Sequence, residues 1–515
     1  MTALKLSRRL VLAAPALLSA VGRAAHAATD DKVLRVVAPW EYDSADPIDT
    51  GYILTRMGIG ETLVMVEPSG RLVGALAESW TVDADRLTWR FRVRDARFHD
   101  GTKVTAAIIA KGLQRAQPKA ETLSTIPFAA IEADGERELI LRTRTPFAPL
   151  PSFLVDYAGV ILAPSAFDAA GQVVRPVATG PYRVTAIDGT KTVDAEAFDG
   201  HWGIKPAIGR VRYTAAVQGD TRANLAEAGE ADLTFTLLPQ AAERIGVAGR
   251  ARILTATIPR VRMFTMNLAL PQFADVRVRR ALSLGIDRVG IARTVLRDPA
   301  SAATQLLPPV LAGWHDPALP PLKRDVAEAR RLLAEAGWQS GTDGIMAREG
   351  QRLAFTVLVP ANRPEIPIMG QAMQAELREI GAMIELRPGP SSGIPAAARN
   401  GTLQAALLAR TYVNVPDPIG TILPDYASDA TIWASTGYRS AEMRKMVTAY
   451  IENFDEADQT RLRRGIVDLL QQDMPVIPVS WFQHNAAAST RLDPASLELD
   501  PFEMSYRLAG IQWAA

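Results

Sequence analysis

The stretch VRMFTMNLALPQFADVRVRRALSLGIDRVGIARTVL, residues 261–296, lies near the middle of the chain and changes its periodicity partway through. Its first part, residues 262–268, is short, mostly apolar and flanked by prolines, which is typical of a largely buried strand. After Asp275, apolar residues recur at three- and four-residue steps and so share one face of a helix. Asp275 and Asp287 are both of a residue type that caps helix N-termini. The stretch therefore predicts a strand followed by two helices, the beginning of a new lobe.

Strands and helices alternate along the rest of the chain. Apolar runs and alternating patterns predict strands at residues 33–38, 139–143, 160–163, 182–186, 211–217, 232–235, 355–359, 384–386 and 403–409, with further short strands within 72–102. Helical periodicity predicts helices at residues 52–59, 103–116, 221–227, 325–336 and 366–380. The aromatic residues of the 72–102 region are expected to be core packing: Trp80, Trp89, Phe91 and Phe98. This alternation predicts an α/β fold.

Residues 1–27 have the features of an export signal. Lys5, Arg8 and Arg9 are followed by the apolar stretch 10–20 and then by Ala-His-Ala at residues 25–27, a small-x-small cleavage site. The adjacent arginines suit the twin-arginine route as well as the Sec route, so both stay open. No cysteine follows to carry a lipid. We expect an exported, periplasmic protein.

The composition limits the partners. The chain has 57 lysine and arginine residues and 56 aspartate and glutamate residues, and it contains no basic run with interleaved aromatics. This balance argues against a nucleic acid as the main partner. A chain of 515 residues is too long for a single core, so we expect two or three domains.

Several short motifs follow one another in a specific order: LAESW (76–80), LTWRFRVRD (87–95), RFHDGT (97–102), ATGPY (178–182), HWGIKP (201–206) and MNLALPQFADVRVRRALSLGIDR (266–288). Each motif alone is weak, but the set resembles family 5 of the extracellular solute-binding proteins of bacterial ABC importers. This family includes dipeptide, oligopeptide and nickel-chelate receptors. The resemblance extends over nearly all of the chain that follows the signal.

The resemblance implies a two-lobed periplasmic binding protein fold of the class II, cluster C type. Lobe one would comprise residues 28–260, with a small extra subdomain at about 66–175. Lobe two would comprise residues 261–485, and residues 486–515 would return to lobe one. Such a protein is a monomeric receptor without a cofactor. It captures a small molecule between its lobes and delivers it to a membrane permease and its ATPase.

The strongest candidate for ligand binding is the segment RTYVNVPDP, residues 410–418, which follows the apolar strand predicted at 403–409. Ligand sites of α/β proteins gather at the carboxyl ends of strands. The segment resembles a loop of the nickel-chelate receptors, and Arg410, Tyr412, Asn414 and Asp417 are its candidate ligand-binding residues. Asp417 precedes a proline, so a role as a turn former is an equal alternative.

Two departures from the family pattern limit the choice of ligand. In the peptide receptors an acidic residue at the position of Asn414 binds the peptide amine, and a neutral amide is a poor substitute. The histidine that nickel-chelate receptors present to the metal would fall near Asp429 or Ala430, and their arginine would fall near residues 157–159. Neither is present here. We predict a small polar ligand, foremost a metal chelate, with a di- or oligopeptide as the alternative.

Three further residues are candidates for the walls of the cleft: Tyr52, Trp481 and His484. The last two lie in the segment WFQH, residues 481–484, which in the family belongs to a strand that returns through the hinge. No histidine beyond the signal has another histidine within metal-ligand spacing, and the chain lacks cysteine. A direct metal site is therefore not predicted, with His484 as the one possible contributor. A chelator brings its own donor atoms, which suits such a site.

An enzyme is the remote alternative. The segment GPSSG, residues 389–393, matches the letters of the nucleophile elbow of serine hydrolases, with Ser391 as the nucleophile and His484 downstream. An elbow needs a strand that runs directly through a tight turn into a helix. Prolines flank the approach, and Pro395 is expected to delay the helix. We therefore predict an ordinary loop and no enzyme activity.

Overall fold

A computed structural model describes residues 32–361, 363, 365–429, 433–434 and 436–515. The predicted signal, residues 1–27, lies outside this range. None of the helices in the described part of the chain is long and apolar enough to span a membrane.

The described residues form strands β1 (Val33–Ala38), β2 (Val64–Val66), β3 (Leu72–Gly74), β4 (Ala77–Val82), β5 (Thr88–Val93), β6 (Phe128–Asp134), β7 (Glu138–Thr143), β8 (Tyr182–Asp188), β9 (Thr192–Ala197), β10 (Arg210–Ala215), β11 (Leu233–Thr234), β12 (Ala251–Met266), β13 (Gln339–Ser340), β14 (Met346–Arg348), β15 (Gln351–Arg352), β16 (Ala354–Pro360), β17 (Met383–Gly389), β18 (Ala405–Thr411) and β19 (Val476–Ser489). The helices are α1 (Pro47–Arg56), α2 (Ala106–Ala116), α3 (Glu121–Ser124), α4 (Leu150–Phe153), α5 (Gly219–Glu227), α6 (Pro239–Val247), α7 (Pro271–Ala274), α8 (Val276–Gly285), α9 (Arg288–Thr294), α10 (Val326–Glu335), α11 (Glu365–Glu379), α12 (Gly393–Arg399), α13 (Ile419–Ile422), α14 (Ala441–Glu452) and α15 (Glu456–Asp473).

A ten-stranded sheet organises the molecule in the order β17-β16-β18-β12-β19-β11-β1-β10-β9-β8. Strands β12 and β19 are long and antiparallel, and they divide the sheet into two parts. We call β11, β1, β10, β9 and β8 the first half-sheet, and β17, β16 and β18 the second half-sheet. The early part of β12 pairs only with β19, whereas its later part, Arg260–Met266, also pairs with β18. The two long strands therefore connect the half-sheets.

The pairing between β12 and β19 is irregular between Ile258 and Val261, where the register shifts. Pro259 lies within this irregularity and has no amide hydrogen to donate to a ladder, so its position at a bulge has a physical cause. Its carbonyl accepts a hydrogen bond from the Tyr412 amide at 2.7 Å. The break in the ladder lies where the chain passes from one half-sheet to the other.

Two separate hydrophobic clusters accompany the half-sheets. One packs β1, α1, β9 and β10 against residues close to the C-terminus, with buried side chains Leu34, Leu54, Tyr213, Leu492 and Ile511. The other includes the second half-sheet and a small four-stranded sheet in the order β4-β5-β7-β6. Each half-sheet therefore has its own core.

The aromatic residues at 72–102 pack as predicted. Trp89, Phe91 and Phe98 are buried, and Trp80 is half-buried and stacks on Phe91 with ring centroids 6.2 Å apart.

Residues 261–296 also fold as predicted, as a strand followed by two helices. Strand β12 contains the buried apolar run, and α8 and α9 follow it. The Asp275 carboxylate accepts from the Arg277 amide, and that of Asp287 accepts from the Gly290 amide. Both helices are therefore capped by the predicted aspartates.

One predicted strand is absent, and one predicted helix begins earlier than expected. Residues 160–163 are buried but do not form a strand, because their amides bond to isolated carbonyls, such as that of Glu61, rather than to a ladder. Helix α1 begins at Pro47, before the predicted start at Tyr52, because the Asp46 side chain caps it and proline suits the first helical turn.

Candidate functional site

A cavity of about 820 Å³ lies between segments that follow strands of the two half-sheets, and we call it the central cavity. Segments that follow the carboxyl ends of β10, β11 and β16 supply Val217, Thr236 and Arg363. Strands β12 and β19 supply further lining residues, including Phe482 and His484. Its volume is in the range of small-molecule sites, and strand ends are where α/β folds place such sites.

Arg363 is an unpaired cation of this cavity. Its guanidinium makes no hydrogen bond or ion pair with another residue of the described chain, although the side chain is partly buried. Burial lowers the pKa of Arg363 and the neighbouring Arg260 lowers it further, whereas the Glu365 and Glu503 carboxylates raise it in part. A cation held in this way gains stability when an anion binds to it.

Arg262, in contrast, already has partners. Its guanidinium is 3.3 Å from the Glu365 carboxylate and lies 4.0 Å from the ring centroid of Phe482. It also donates to the Trp481 carbonyl at 3.3 Å. Burial lowers the pKa of Arg262 to about 10, so the group is still charged at neutral pH. These contacts fix Arg262 in the floor of the cavity.

The other charged groups of the cavity are mostly engaged. Arg297 pairs with Glu243 at 3.1 Å. Arg222 donates to the carbonyls of four residues, Ala216, Val217, Phe235 and Thr236. Asp298 accepts from the Ala300 amide through Oδ1, but its buried Oδ2 has no partner among the described residues. The cavity thus combines the unpaired Arg363 guanidinium with one unsatisfied carboxylate oxygen.

His484 is a neutral donor rather than a metal ligand in this arrangement. It is 6% exposed, and its Nε2 accepts a hydrogen bond from the Thr236 amide at 3.2 Å. A neutral imidazole has one lone pair for hydrogen bonding, so Nδ1 carries the proton. Nδ1 has no partner among the described residues. Burial lowers the pKa of His484 to about 4, which keeps the ring neutral at pH 7.

The backbone beside His484 is held in an unusual conformation. Thr236 has a φ of 58°, which is rare for a β-branched residue. Its amide is bonded to His484, and its carbonyl accepts from Arg222 at 2.6 Å. Residues held in such conformations by their surroundings cluster at functional sites. This strain supports the central cavity as the place where the protein acts.

Two of the candidates in the 410–418 segment have internal partners. The Arg410 guanidinium forms a two-point ion pair with Asp425 at 2.7 and 2.9 Å. Burial alone would lower the pKa of Arg410, but the Asp425 carboxylate raises it above its usual value. Tyr412 is fully buried, and its hydroxyl lies 2.6 Å from that of Tyr426. Both side chains are used within the fold.

Asp417 adopts the turn-former arrangement. Its carboxylate accepts from the Ile419 amide at 3.0 Å and from the Tyr450 hydroxyl at 2.7 Å. Burial raises the pKa of Asp417. It lines a second cavity of about 420 Å³, separate from the central cavity, whereas Asn414 is partly exposed and lines neither. The segment therefore does not converge on the central cavity.

Tyr52 and Trp481, the remaining ligand-binding candidates apart from His484, also lie outside the central cavity. Tyr52 is half-buried and packs edge-on against Trp40 and Tyr157, with centroids 6.4 and 5.6 Å away. Trp481 is buried, and its Nε1 donates to the Gln305 carbonyl at 3.1 Å. Of the seven predicted ligand-binding residues, His484 alone lines the central cavity. The roles of the other six stay predictions.

The segment around Ser391 differs from its prediction. Strand β17 ends at Gly389, and α12 begins at Gly393, so the chain does run from strand through turn to helix. The expectation that Pro395 delays the helix was wrong, because proline is tolerated in the first turn of a helix. Ser391 follows an edge strand, however, with three strands between it and the β19 residue His484. Ser391 and His484 are therefore too far apart to act together as nucleophile and general base.

Sequence reasoning missed two of the arginines that line the cavity, Arg262 and Arg363. A signal existed, because Arg363 follows the strand predicted at 355–359, and Arg262 is the charged first residue of the mostly apolar strand predicted at 262–268. Among the described residues, no three histidine, cysteine, aspartate or glutamate side chains are grouped to hold a metal ion. The central cavity offers hydrogen-bonding and charged groups to a solute.

Comparisons with known proteins agree with this architecture. The family described as bacterial extracellular solute-binding proteins, family 5 Middle, matches residues 71–431. The glutathione-binding protein GsiB of Escherichia coli (strain K12) is 24% identical over 458 residues, which cover 85% of this chain and 86% of GsiB.

Solved structures share the fold. NikA from Brucella suis, in complex with Fe(III)-EDTA, aligns with a TM-score of 0.82 at 22% identity and covers 93% of this chain and 100% of NikA. AppA from Bacillus subtilis, in complex with a nonapeptide, aligns with a TM-score of 0.77 at 18% identity and covers 94% and 99%. The chain therefore belongs to family 5 of the bacterial extracellular solute-binding proteins, the two-lobed receptors of ABC importers.

Proposed function

We propose that this receptor captures a small solute bearing carboxylate groups in the central cavity, and that a metal chelate is the foremost candidate. The unpaired guanidinium of Arg363 carries this proposal, because a partly buried cation without a partner is matched by an anionic ligand. A chelator supplies its own donor atoms to the metal. The protein then needs only cations and hydrogen-bond donors. Arg363 supplies a cation, and the buried Nδ1 of His484 has no acceptor among the described residues.

A di- or oligopeptide is the second candidate. Asn414 lacks the charge to bind an amine, but Asp298 lines the cavity, and its buried Oδ2 has no hydrogen-bond donor among the described residues. An ammonium group is a suitable partner for such an oxygen. GsiB and AppA, which bind glutathione and a nonapeptide, are relatives with peptide ligands. This candidate therefore has its own structural support.

The cellular setting is part of the proposal. Residues 1–27 direct export by the Sec or the twin-arginine route, and the mature chain acts as a monomer beside its permease and ATPase. The lobe limits predicted above, 28–260 with 486–515 and 261–485, are consistent with the irregular β12–β19 pairing at Ile258 and Val261. Cell fractionation after replacing Arg8 and Arg9 with lysine separates the two routes, because loss of export identifies the twin-arginine route.

Calorimetric titration tests the ligand class. The purified protein is titrated with nickel and cobalt alone, with histidine and opine-type chelates of each metal, and with a dipeptide library. We expect chelates to bind and the bare metals not to bind. Arg363→Gln should weaken binding about 10- to 100-fold, the loss expected for a charge-assisted hydrogen bond.

The matched control is Arg399→Gln, which removes an exposed arginine of α12 away from the cavity. Asp298→Asn separates the two candidates, because it should weaken the binding of an ammonium group and spare that of a chelate. Binding of dipeptides without a response to any chelate would replace the first candidate with the second. Unchanged affinity in Arg363→Gln would remove the basis of the chelate candidate.

A further inference from the structure

Three of the large apolar side chains that are most exposed line the central cavity. Val217 is 58% exposed, Val247 is 87% exposed, and Ile368 is 52% exposed. Single exposed apolar residues are ordinary on a protein surface, but several around one concave site indicate binding. We call these three residues the apolar rim.

The fold itself does not explain the apolar rim. Helix α6 packs on its neighbours through Ala241, Ala242 and Ile245, and Val247 lies off that face at the end of the helix. Hydrophobic periodicity therefore accounts for the buried face and leaves Val247 unexplained.

Helix α11 repeats this arrangement on the other side of the cavity. Its buried face includes Ile366, Met369, Met373 and Leu377, and Ile368 lies off it. Val217 follows β10 in the first half-sheet, so the apolar rim has members on both sides of the cavity.

Three of the polar residues that line the cavity lie deeper than the apolar rim. Arg262 and His484 are 6% exposed each, and Asn485 is 8% exposed, so they lie further from solvent than the apolar rim. Half-buried Leu238, Ile253 and Val295 also line the cavity. Hydrogen-bonding groups therefore lie at the floor, and near the opening the aliphatic groups of the apolar rim stand beside exposed polar residues such as Asp220 and Glu243.

We infer that the ligand is an amphiphilic anion, with an acidic head group bound near Arg363 and an apolar substituent packed against the apolar rim. The inference rests on the proposal that the central cavity is the ligand site, and it adds a branched alkyl or aromatic group to the ligand class. A wholly polar solute would leave the rim in water on both sides of the cavity. An apolar substituent removes that surface from water.

Dansylglycine is a direct probe, because it joins a carboxylate to an apolar naphthalene ring that fluoresces more strongly and at shorter wavelength out of water. We expect saturable binding of dansylglycine to the full mature protein. Dansylamide, which lacks the carboxylate, should bind at least about tenfold more weakly, as expected for the loss of a charge-assisted contact. Absence of saturable dansylglycine binding overturns the inference.

The double variant Val217→Asn/Ile368→Asn tests the apolar rim. It should weaken dansylglycine binding by about tenfold or more, because two aliphatic contacts are lost. The matched control Ile204→Asn changes an apolar residue that is 69% exposed and does not line the cavity. Thermal unfolding should be unchanged in both proteins, because all of these side chains are exposed. Equal dansylglycine affinity in the rim variant and the control overturns the inference.

A pair of chelates separates ligand contact from lobe closure. Nickel iminodiacetate and nickel N-benzyliminodiacetate share a head group and differ in one apolar ring. The rim variant should lose affinity only for the benzyl chelate. An equal loss for both chelates would mean that the apolar rim acts in lobe closure, and it would overturn the inference. If neither chelate binds but dansylglycine does, the chelate proposal fails and the amphiphilic anion stands.

Discussion

The 410–418 segment and the central cavity contain similar residues, but the partners of those residues differ. Arg410 of the segment is paired at two points with Asp425, and Asp417 is bonded to Tyr450. Arg363 of the cavity has no such partner in the described chain, and Asp298 has one unsatisfied oxygen. A charged residue at the end of a strand is a candidate for ligand binding only when the fold has not already used its charge. The contrast therefore separates structural from ligand-binding charges.

Breaking the Arg410–Asp425 pair should have the largest effect on stability. Asp425→Asn leaves a buried guanidinium without its counter-charge, and we expect a loss of about 3–5 kcal/mol in the free energy of unfolding. Chemical denaturation measures this loss. The double replacement Arg410→Met/Asp425→Leu should recover most of it, because no buried charge then lacks a partner.

The control is the exposed pair of Arg331 and Glu328, whose loss should leave the free energy of unfolding nearly unchanged, because solvent screens an exposed ion pair. Arg363→Gln should also leave stability nearly unchanged, although it weakens binding. A stable Asp425→Asn protein with weakened ligand binding would mean that the segment, rather than the cavity, is the ligand site.

The pH dependence of stability tests the burial of His484, which lines the central cavity. Burial lowers the pKa of His484 from 6.5 to about 4 in the folded protein. Its contribution to stability is therefore complete above the unfolded value of 6.5 and is lost as the pH falls towards 4. The shift corresponds to about 3 kcal/mol.

His484→Gln should remove this part of the pH dependence, as measured by denaturation between pH 4 and pH 7. Burial also lowers the pKa of His99 to about 4. The free energy of unfolding of His484→Gln should therefore still depend on pH, with a slope of similar size that comes from His99. His99→Gln is the matched variant, because it should remove the other part of the slope and leave the ligand affinity unchanged. An unaltered slope in both variants would contradict the burial of these rings as neutral groups.

Removing a single hydroxyl from the segment should have the smallest effect. Tyr450→Phe deletes the hydrogen bond to Asp417 Oδ2, and we expect a loss of about 1–2 kcal/mol in stability. Ligand affinity should stay the same, because Asp417 lines a different cavity. Calorimetric titration of this variant provides the check, and a loss of affinity without a loss of stability would restore Asp417 as a ligand contact.

Much of the fold could be predicted because local patterns and local structure agree. The buried run of β12, the caps at Asp275 and Asp287, and the aromatic core of the small sheet depend on nearby residues. The predicted strand at 160–163 failed because an apolar run identifies burial but not a hydrogen-bonding neighbour. Pairing partners are set by distant parts of the chain.

The sequence by itself determined the family, the α/β alternation and the expectation of a small ligand, because these follow from motif order, periodicity and composition. Only the tertiary structure decided which charges are available to that ligand. Arg410 lies at the end of a strand and Arg363 follows one, yet Asp425 forms an ion pair with the first, whereas the second forms no ion pair with a described residue. Pairing over such distances depends on where helices and strands meet in three dimensions, and one sequence does not encode that locally.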